Sequence, residues 1–289
     1  MRHARRASGR LTTLVDVVSP VTILDGPTGS ELTLRGAPTR ERGWSANAIT
    51  RAPDLLRDVH AAYAAAGATV HTACTFRAQP CLFPEQFRGL VRTAVQLARQ
   101  GAQGARVAGS LAPVGDCYAP QESPAPDVAR RLHAEMAGAL ADAGVDLILC
   151  ETFPCVSEAE IAVEAAASTG LPVWVALTAG PSADLMTAAA LAEGARRCVD
   201  RGAGAALVCC VGASLTLPYV EALASVGVPF GAYANAGAAP GDAYGADDAE
   251  AVARYLEHAY TWVAAGATLV GGCCGTRPAH VRALAAAFR

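Results

Sequence analysis

Two pairs of adjacent cysteines are the residues in this chain whose type and placement could do chemistry. Val270-Gly271-Gly272-Cys273-Cys274-Gly275-Thr276 carries an apolar run through two glycines into one pair, and Ala205-Ala206-Leu207-Val208-Cys209-Cys210 ends a second apolar run in the other. A disulfide between sequence neighbours closes a strained ring, so Cys273 and Cys274 are poor partners for each other. Two thiolates converging on one soft divalent ion need only a backbone that turns sharply, which the glycines supply. A third ligand must then come from elsewhere, and the Cys209-Cys210 pair is the best candidate. The plainer reading is small core packing, since free cysteine is among the most buried residue types and no CxxC spacing is present. Two pairs at the ends of two apolar runs favour the metal. Cys74, Cys81, Cys117, Cys150, Cys155 and Cys198 are scattered without disulfide-like spacing and read mostly as buried small side chains.

Three cysteines suit Zn2+, which accepts thiolates in tetrahedral geometry and leaves a fourth position open when the protein supplies three ligands. Three thiolates already give such a site net negative charge, so it activates water poorly and is better matched to an incoming thiol. The expected substrate is a thiol acting as a nucleophile. No HExxH or His-rich ligand set is present, which disfavours a zinc hydrolase.

These cysteines need a scaffold that brings strand ends together. Short apolar runs end at 21–25, 69–73, 106–110, 147–151, 173–177, 206–210, 229–233 and 269–272, and helical patterns fill the gaps at 53–66, 87–100, 127–143, 157–168, 187–200, 217–225, 247–265 and 278–288. Helix boundaries are visible at Ser157 with Glu160 three residues on, at Thr276 close before Pro278, and at the terminal glycines Gly67 and Gly144. Eight strand–helix units without a dividing linker predict an α/β fold, a single (β/α)8 TIM barrel. A doubly wound open sheet is the alternative, but the first strand lacks a GxGxxG turn. Barrel active sites lie at the C-terminal ends of the strands, and Asp25, Thr72 to Thr75, Ser110, Glu151, Cys210, Asn235, Cys273 and Cys274 all fall there. Asp25 and Glu151 could each be a helix cap or a structural ion pair. Beside a thiol-binding metal, they could instead hold the ammonium of an amino-acid thiol.

The composition narrows the class further. A length of 289 residues with 52% hydrophobic content is ample for a large core, and a net charge of −3 with dispersed arginines argues against nucleic-acid binding. Residues 1–10 form a basic cluster without the apolar core of a secretory signal, so 1–18 is read as a disordered leader and 19–289 as the barrel domain. No run of 18 uncharged apolar residues is present, which predicts no membrane span. Ten cysteines without a secretion signal point to a reducing cytoplasm. The sequence contains no lysine, which excludes a lysine Schiff base and a P-loop. A monomer or small homo-oligomer is expected.

The ordered motifs resemble the homocysteine S-methyltransferase family over roughly residues 23–284. The resemblance is carried by Leu24-Asp25-Gly26-Pro27-Thr28-Gly29-Ser30-Glu31-Leu32, Trp44-Ser45-Ala46, Tyr63 with Ala66-Gly67-Ala68, Gly109-Ser110-Leu111-Ala112-Pro113, Asp146-Leu147-Ile148-Leu149-Cys150-Glu151-Thr152, Tyr233-Ala234-Asn235-Ala236-Gly237 and Gly271-Gly272-Cys273-Cys274. It implies a zinc-dependent methyltransferase, with Cys210, Cys273 and Cys274 as metal ligands, Asp25 and Glu151 on the homocysteine amino group, and the Gly26 backbone near its carboxylate. The implied reaction moves a methyl group from an onium donor, S-methylmethionine or S-adenosylmethionine, to L-homocysteine, giving methionine. A different thiol or selenol acceptor, or a non-catalytic thiol-binding sensor, are the alternatives. Trp44 is a candidate donor-side residue because an indole face attracts an onium cation, and Asn235 a candidate substrate-binding residue. The chain departs from the family pattern at Cys209, where asparagine is usual, at Thr72-Ala73-Cys74-Thr75-Phe76 and at Gly115-Asp116-Cys117-Tyr118-Ala119-Pro120. Strand alternation predicts that Cys209 and Cys210 point to opposite faces, with Cys209 off the metal unless the strand bulges.

Overall fold

In a computed structural model of the chain, which describes residues 20–41, 43–237 and 244–289, the eight apolar runs form eight parallel strands. They are β1 (Thr22–Ile23), β2 (Val70–Ala73), β3 (Arg106–Leu111), β4 (Leu147–Phe153), β5 (Val173–Leu177), β6 (Ala205–Gly212), β7 (Phe230–Asn235) and β8 (Leu269–Gly272). Each pairs with its sequence neighbour, β8 returns to β1, and a parallel bridge between Leu24 and Val70 brings β1 beside β2 and closes the barrel. The leader assigned to 1–18 lies outside the described residues.

Ten α-helices surround the sheet: α1 (Thr28–Leu34), α2 (Ala46–Arg51), α3 (Pro53–Ala66), α4 (Phe87–Gly101), α5 (Pro126–Asp142), α6 (Val156–Ala167), α7 (Ala188–Asp200), α8 (Leu217–Leu223), α9 (Ala249–Ala264) and α10 (Pro278–Phe288), among the described residues. The short α1 and α2 escape the sequence pattern because neither is long enough to show a helical period. Local chemistry sets several boundaries. Gly67 ends α3 at φ 101°, a conformation costly for any side chain, and Thr187 and Asp248 accept the first free N–H groups of α7 and α9. The helix α6 begins at Val156, one residue before the expected Ser157, and Ser157 Oγ contacts Cys155 Sγ instead of capping. Its Glu158 side chain turns away to accept hydrogen bonds from the loop after β3.

Strand alternation sorts the core into two shells. Leu24, Val70, Ala108, Leu147, Leu149, Ala176, Leu207 and Leu269 fill the barrel interior, whereas Ile23, Val107, Ile148, Val175, Val208 and Val270 pack outward against the helices. The interior is plugged by side chains. Small residues such as Ala108 and Ala176 share this interior with longer leucines. Among the described residues no helix is long and apolar enough to cross a membrane.

Candidate active site

Two strand irregularities shape the mouth. The β4–β5 register shifts between Glu151 and Phe153, and the β6–β7 register shifts between Cys209 and Gly212. At these bulges Thr152 and Cys210 adopt φ values of 62° and 54°, the left-handed region that a β-branched threonine rarely visits. Such a conformation costs on the order of 1–3 kcal/mol and persists because the closed barrel over-determines it. Its result is local: Thr152 Oγ1 sits 3.7 Å from Cys210 Sγ, and Asn235 Nδ2 donates to the Cys210 carbonyl at 3.1 Å.

The β6 bulge also corrects the expected opposition of Cys209 and Cys210. Both side chains belong to the interior cluster. Depth separates them instead, because Cys210 lines the mouth cavity and Cys209 does not. The Cys209 thiol faces Thr152 Oγ1 at 3.5 Å and the Ala176 carbonyl at 3.8 Å, and burial pushes its pKa up to about 12.

Across the mouth, the glycines of β8 deliver the second pair. Cys210 and Cys273 are joined through their sulfurs as a disulfide, with Cα atoms 5.6 Å apart, and Cys274 lines the same cavity. Gly272 has no room for a side chain because Thr276 folds back over it, its hydroxyl donating to the Cys273 carbonyl at 2.8 Å. That contact fixes the turn that aims both cysteines at the mouth. Burial raises the Cys274 thiol pKa, partly offset by the Tyr244 hydroxyl.

Asp25 and Glu151 lie on the floor of this cavity, which has a volume of about 600 Å3. Asp25 is 3% exposed, and its Oδ2 accepts the Thr72 backbone N–H at 3.0 Å. Glu151 is 9% exposed and accepts from Tyr233 Oη at 3.0 Å and from the Ser110 hydroxyl. Burial raises the pKa of both carboxyls. Hydrogen bonds to the ionised forms oppose the rise, and the Glu151 charge adds to it at Asp25. Next to Asp25, a Cβ on Gly26 would come 2.6 Å from the Tyr63 ring, so only glycine lets the chain cross that tyrosine. Tyr63 in turn donates to the Pro27 carbonyl at 3.2 Å.

Behind Asp25, His60 and His71 are fully buried; the His60 ring nitrogens have no hydrogen-bond partner among the described residues, and His71 meets the Ala68 backbone. Together with Asp25 they place one ligand atom each within 4.8 Å of one another. Burial lowers their pKa values to about 3 and about 4, so both rings are neutral at pH 7 and pack edge to face at 5.9 Å between centroids. His71 Nδ1 lies 3.8 Å from Asp25 Oδ2, beyond a direct hydrogen bond. Neither ring lines the cavity.

The rim holds Trp44, Phe76, Arg77, Asp116, Cys117, Tyr118 and Glu122. Trp44 meets Phe76 edge to face at 6.2 Å and covers Gly29. The mouth therefore brings together Asp25, Gly26, Trp44, Glu151, Cys210, Cys273 and Cys274. Asn235 is buried beneath it and touches the Cys210 backbone instead of the cavity. Sequence reasoning gave no role to Tyr233, Thr152 or Arg77. Tyr233 was visible as a motif tyrosine at a strand end, but a hydroxyl aimed at Glu151 becomes visible only when β4 and β7 face each other across the barrel.

A closed eight-stranded parallel barrel whose mouth joins three cysteine side chains to two buried carboxylates defines the class: a TIM-barrel protein equipped to bind an amino-acid thiol. The homocysteine S-methyltransferase family model matches residues 22–288, and the chain belongs to that family of methyltransferases. It is 30% identical to the homocysteine S-methyltransferase of Escherichia coli over 92% of this chain and 94% of that protein, and 29% identical to homocysteine S-methyltransferase 4 of Zea mays over 98% and 94%. The crystal structure of the E. coli homocysteine methyltransferase MmuM in its oxidized form superposes with a TM-score of 0.76 at 27% identity, covering 92% of this chain and 96% of that one. Its metallated form superposes with a TM-score of 0.74, covering 93% and 96%.

Proposed function

We propose that this enzyme transfers a methyl group from an onium donor, S-methylmethionine or S-adenosylmethionine, to L-homocysteine, with Zn2+ held by Cys210, Cys273 and Cys274. The observation that carries the reading is the meeting of Cys210 and Cys273 at the mouth, with Cys274 on the same cavity and two buried carboxylates beside them. The donor set fits the metal: sulfurs close enough to pair when oxidised can, when reduced, share one tetrahedral soft ion, and a reducing cytoplasm keeps them so. When bound, zinc supplies a site that keeps the acceptor sulfur as a thiolate at neutral pH.

The protein's own groups do the positioning. Asp25 and Glu151, once ionised, bind the homocysteine ammonium, which offsets the burial that raises their pKa values. Tyr233 and Ser110 orient Glu151 by donating to its two oxygens. The Gly26 backbone lies where the acceptor carboxylate would follow, and Asn235 and Thr152 hold Cys210 in its bulged conformation. The acceptor sulfur attacks the donor methyl carbon in line. One carbon–sulfur bond forms as the bond from methyl to the onium centre breaks, the donor leaves with the electron pair and loses its positive charge, and the acceptor's thiol proton passes to solvent. Trp44 offers an aromatic face to the onium group, worth about 0.5–2 kcal/mol.

The test is to incubate reduced, zinc-loaded protein with homocysteine and each donor separately and to analyse the products by mass. Methionine formation is expected. No methyl transfer to homocysteine, or to a related thiol or selenol, from any onium donor would refute the reading.

A further inference from the structure

The cavity over the sulfurs has four carboxylates in its wall, Asp25, Asp116, Glu122 and Glu151, and a single cation among the described residues, Arg77. That arginine is half-buried and makes no ion pair among the described residues. What sets it apart is its place: it lines a cavity whose other charged side chains are all carboxylates. Arg77 is held by other means. Its Nη1 donates to the Gly115 carbonyl at 3.3 Å, and its guanidinium lies 5.5 Å from the centroid of the Phe76 ring. An arginine offers five N–H donors in a rigid fork matched to a carboxylate, and this contact engages one of them.

Charge matching identifies what the fork is for. The acceptor's ammonium has two buried carboxylates on the floor, Asp25 and Glu151. Arg77 belongs to the rim, fastened to the loop that also carries Asp116, Cys117 and Tyr118. An onium donor that is itself an amino acid brings two cationic groups and one carboxylate. The rim carboxylates Asp116 and Glu122 suit the cations, and the carboxylate needs the one cation in the wall. We propose that Arg77 binds the α-carboxylate of the methyl donor and so discriminates against onium donors that lack one. This rests on the methyltransferase reading above and adds a specificity-determining residue to it. Lysine would supply the charge without the planar fork.

The experiment compares S-methylmethionine with (3-aminopropyl)dimethylsulfonium, which keeps the sulfonium and the ammonium but lacks the carboxylate. Wild-type protein, R77Q and R77K are assayed reduced and zinc-loaded at saturating homocysteine, after circular dichroism and melting have shown that each is folded. Wild type should favour S-methylmethionine in kcat/KM by about tenfold to a hundredfold, the range for a charge-assisted pair. R77Q should lose that preference, with turnover of the carboxylate-free donor and the homocysteine KM both within about twofold of wild type, and R77K should fall between. An equal loss for both donors, or no loss for either, overturns the proposal. A rise confined to the homocysteine KM would place the acceptor's carboxylate on Arg77 and equally overturn it. Calorimetric binding of S-methylmethionine to wild type and R77Q separates the two levels. Absence of turnover by wild type removes the methyltransferase reading alone, whereas equal donor affinity in both proteins removes the Arg77 assignment whether or not turnover occurs.

Discussion

Replacing Tyr233 with phenylalanine tests the support given to Glu151. Tyr233 is buried at 5% exposure and the substitution keeps its ring; what disappears is the 3.0 Å hydrogen bond from its hydroxyl to Glu151 Oε2, together with that hydroxyl's contact with the Cys209 thiol. A hydrogen bond to a charged acceptor contributes about 1.5–3 kcal/mol, equivalent to roughly a tenfold to hundredfold change in an equilibrium constant. Burial already raises the Glu151 pKa, and the Tyr233 and Ser110 hydroxyls hold it down by favouring the ionised form. Losing one of them raises the pKa further. Since the protonated carboxyl cannot pair with an ammonium, acceptor affinity is lost as pH falls through the raised value. In Tyr233→Phe that loss should begin at higher pH than in wild type. The assay is the homocysteine KM from pH 5.5 to 8.5 at saturating donor, with zinc content measured in parallel. A homocysteine KM profile superimposable on wild type would show that Glu151 does not hold the acceptor, and a fall in zinc content would show that Tyr233 acts on the metal site instead.

Other perturbations test neighbouring parts of the site. Asp25→Asn should weaken acceptor binding by about tenfold or more while zinc stays near one per chain, because the lost contact is to substrate and not to metal; atomic absorption together with homocysteine titration reads both. Cys209→Ser should leave the zinc-edge X-ray absorption unchanged, with three sulfurs at rest and four after homocysteine is added, since Cys209 faces Thr152 and Ala176. Four sulfurs at rest, falling to three in the variant, would make the metal structural. Mild oxidation should release zinc by joining Cys210 to Cys273, and a reductant should restore it; zinc retained after full oxidation of that pair would exclude it as ligands. Glu158 supplies a pH prediction for stability. Burial opposes its charge, but His133 Nε2 at 3.1 Å, Ser123 Oγ at 2.5 Å and the Val114 N–H at 2.9 Å outweigh burial and lower its pKa below the ordinary 4.5. The sign follows: this stabilisation is complete above about 4.5 and is lost as pH falls through the depressed value. Denaturant unfolding at pH 6 and at pH 3 should show wild type losing more stability than Glu158→Gln, by about 1–3 kcal/mol, and equal losses would count against this role.

The barrel was legible in the sequence because each of its units is local. Apolar runs of strand length alternate with helical patterns, and glycines such as Gly67 stop helices wherever the chain must enter the left-handed region. The placement of Asp25, Glu151, Cys210, Cys273 and Cys274 at strand ends followed from those runs alone, since in this fold strand ends converge. Tertiary structure decided what those residues touch. The bulges in β4 and β6 depend on register with β5 and β7, so the alternation that would set Cys209 opposite Cys210 is broken there, and the two share the interior at different depths. Asn235, a strand-end residue by position, turned beneath the mouth to the Cys210 carbonyl, and Tyr233 reached across the barrel to Glu151, 82 residues away in sequence. Arg77 reads in sequence as one arginine among many; its significance lies in being the cation in a wall of carboxylates drawn from three different segments of the chain. A single sequence carries the period of each element, which is set by neighbours three or four residues apart. Hydrogen bonds and charge balance between strand ends are set by closure of the sheet, which joins residues that no local pattern relates.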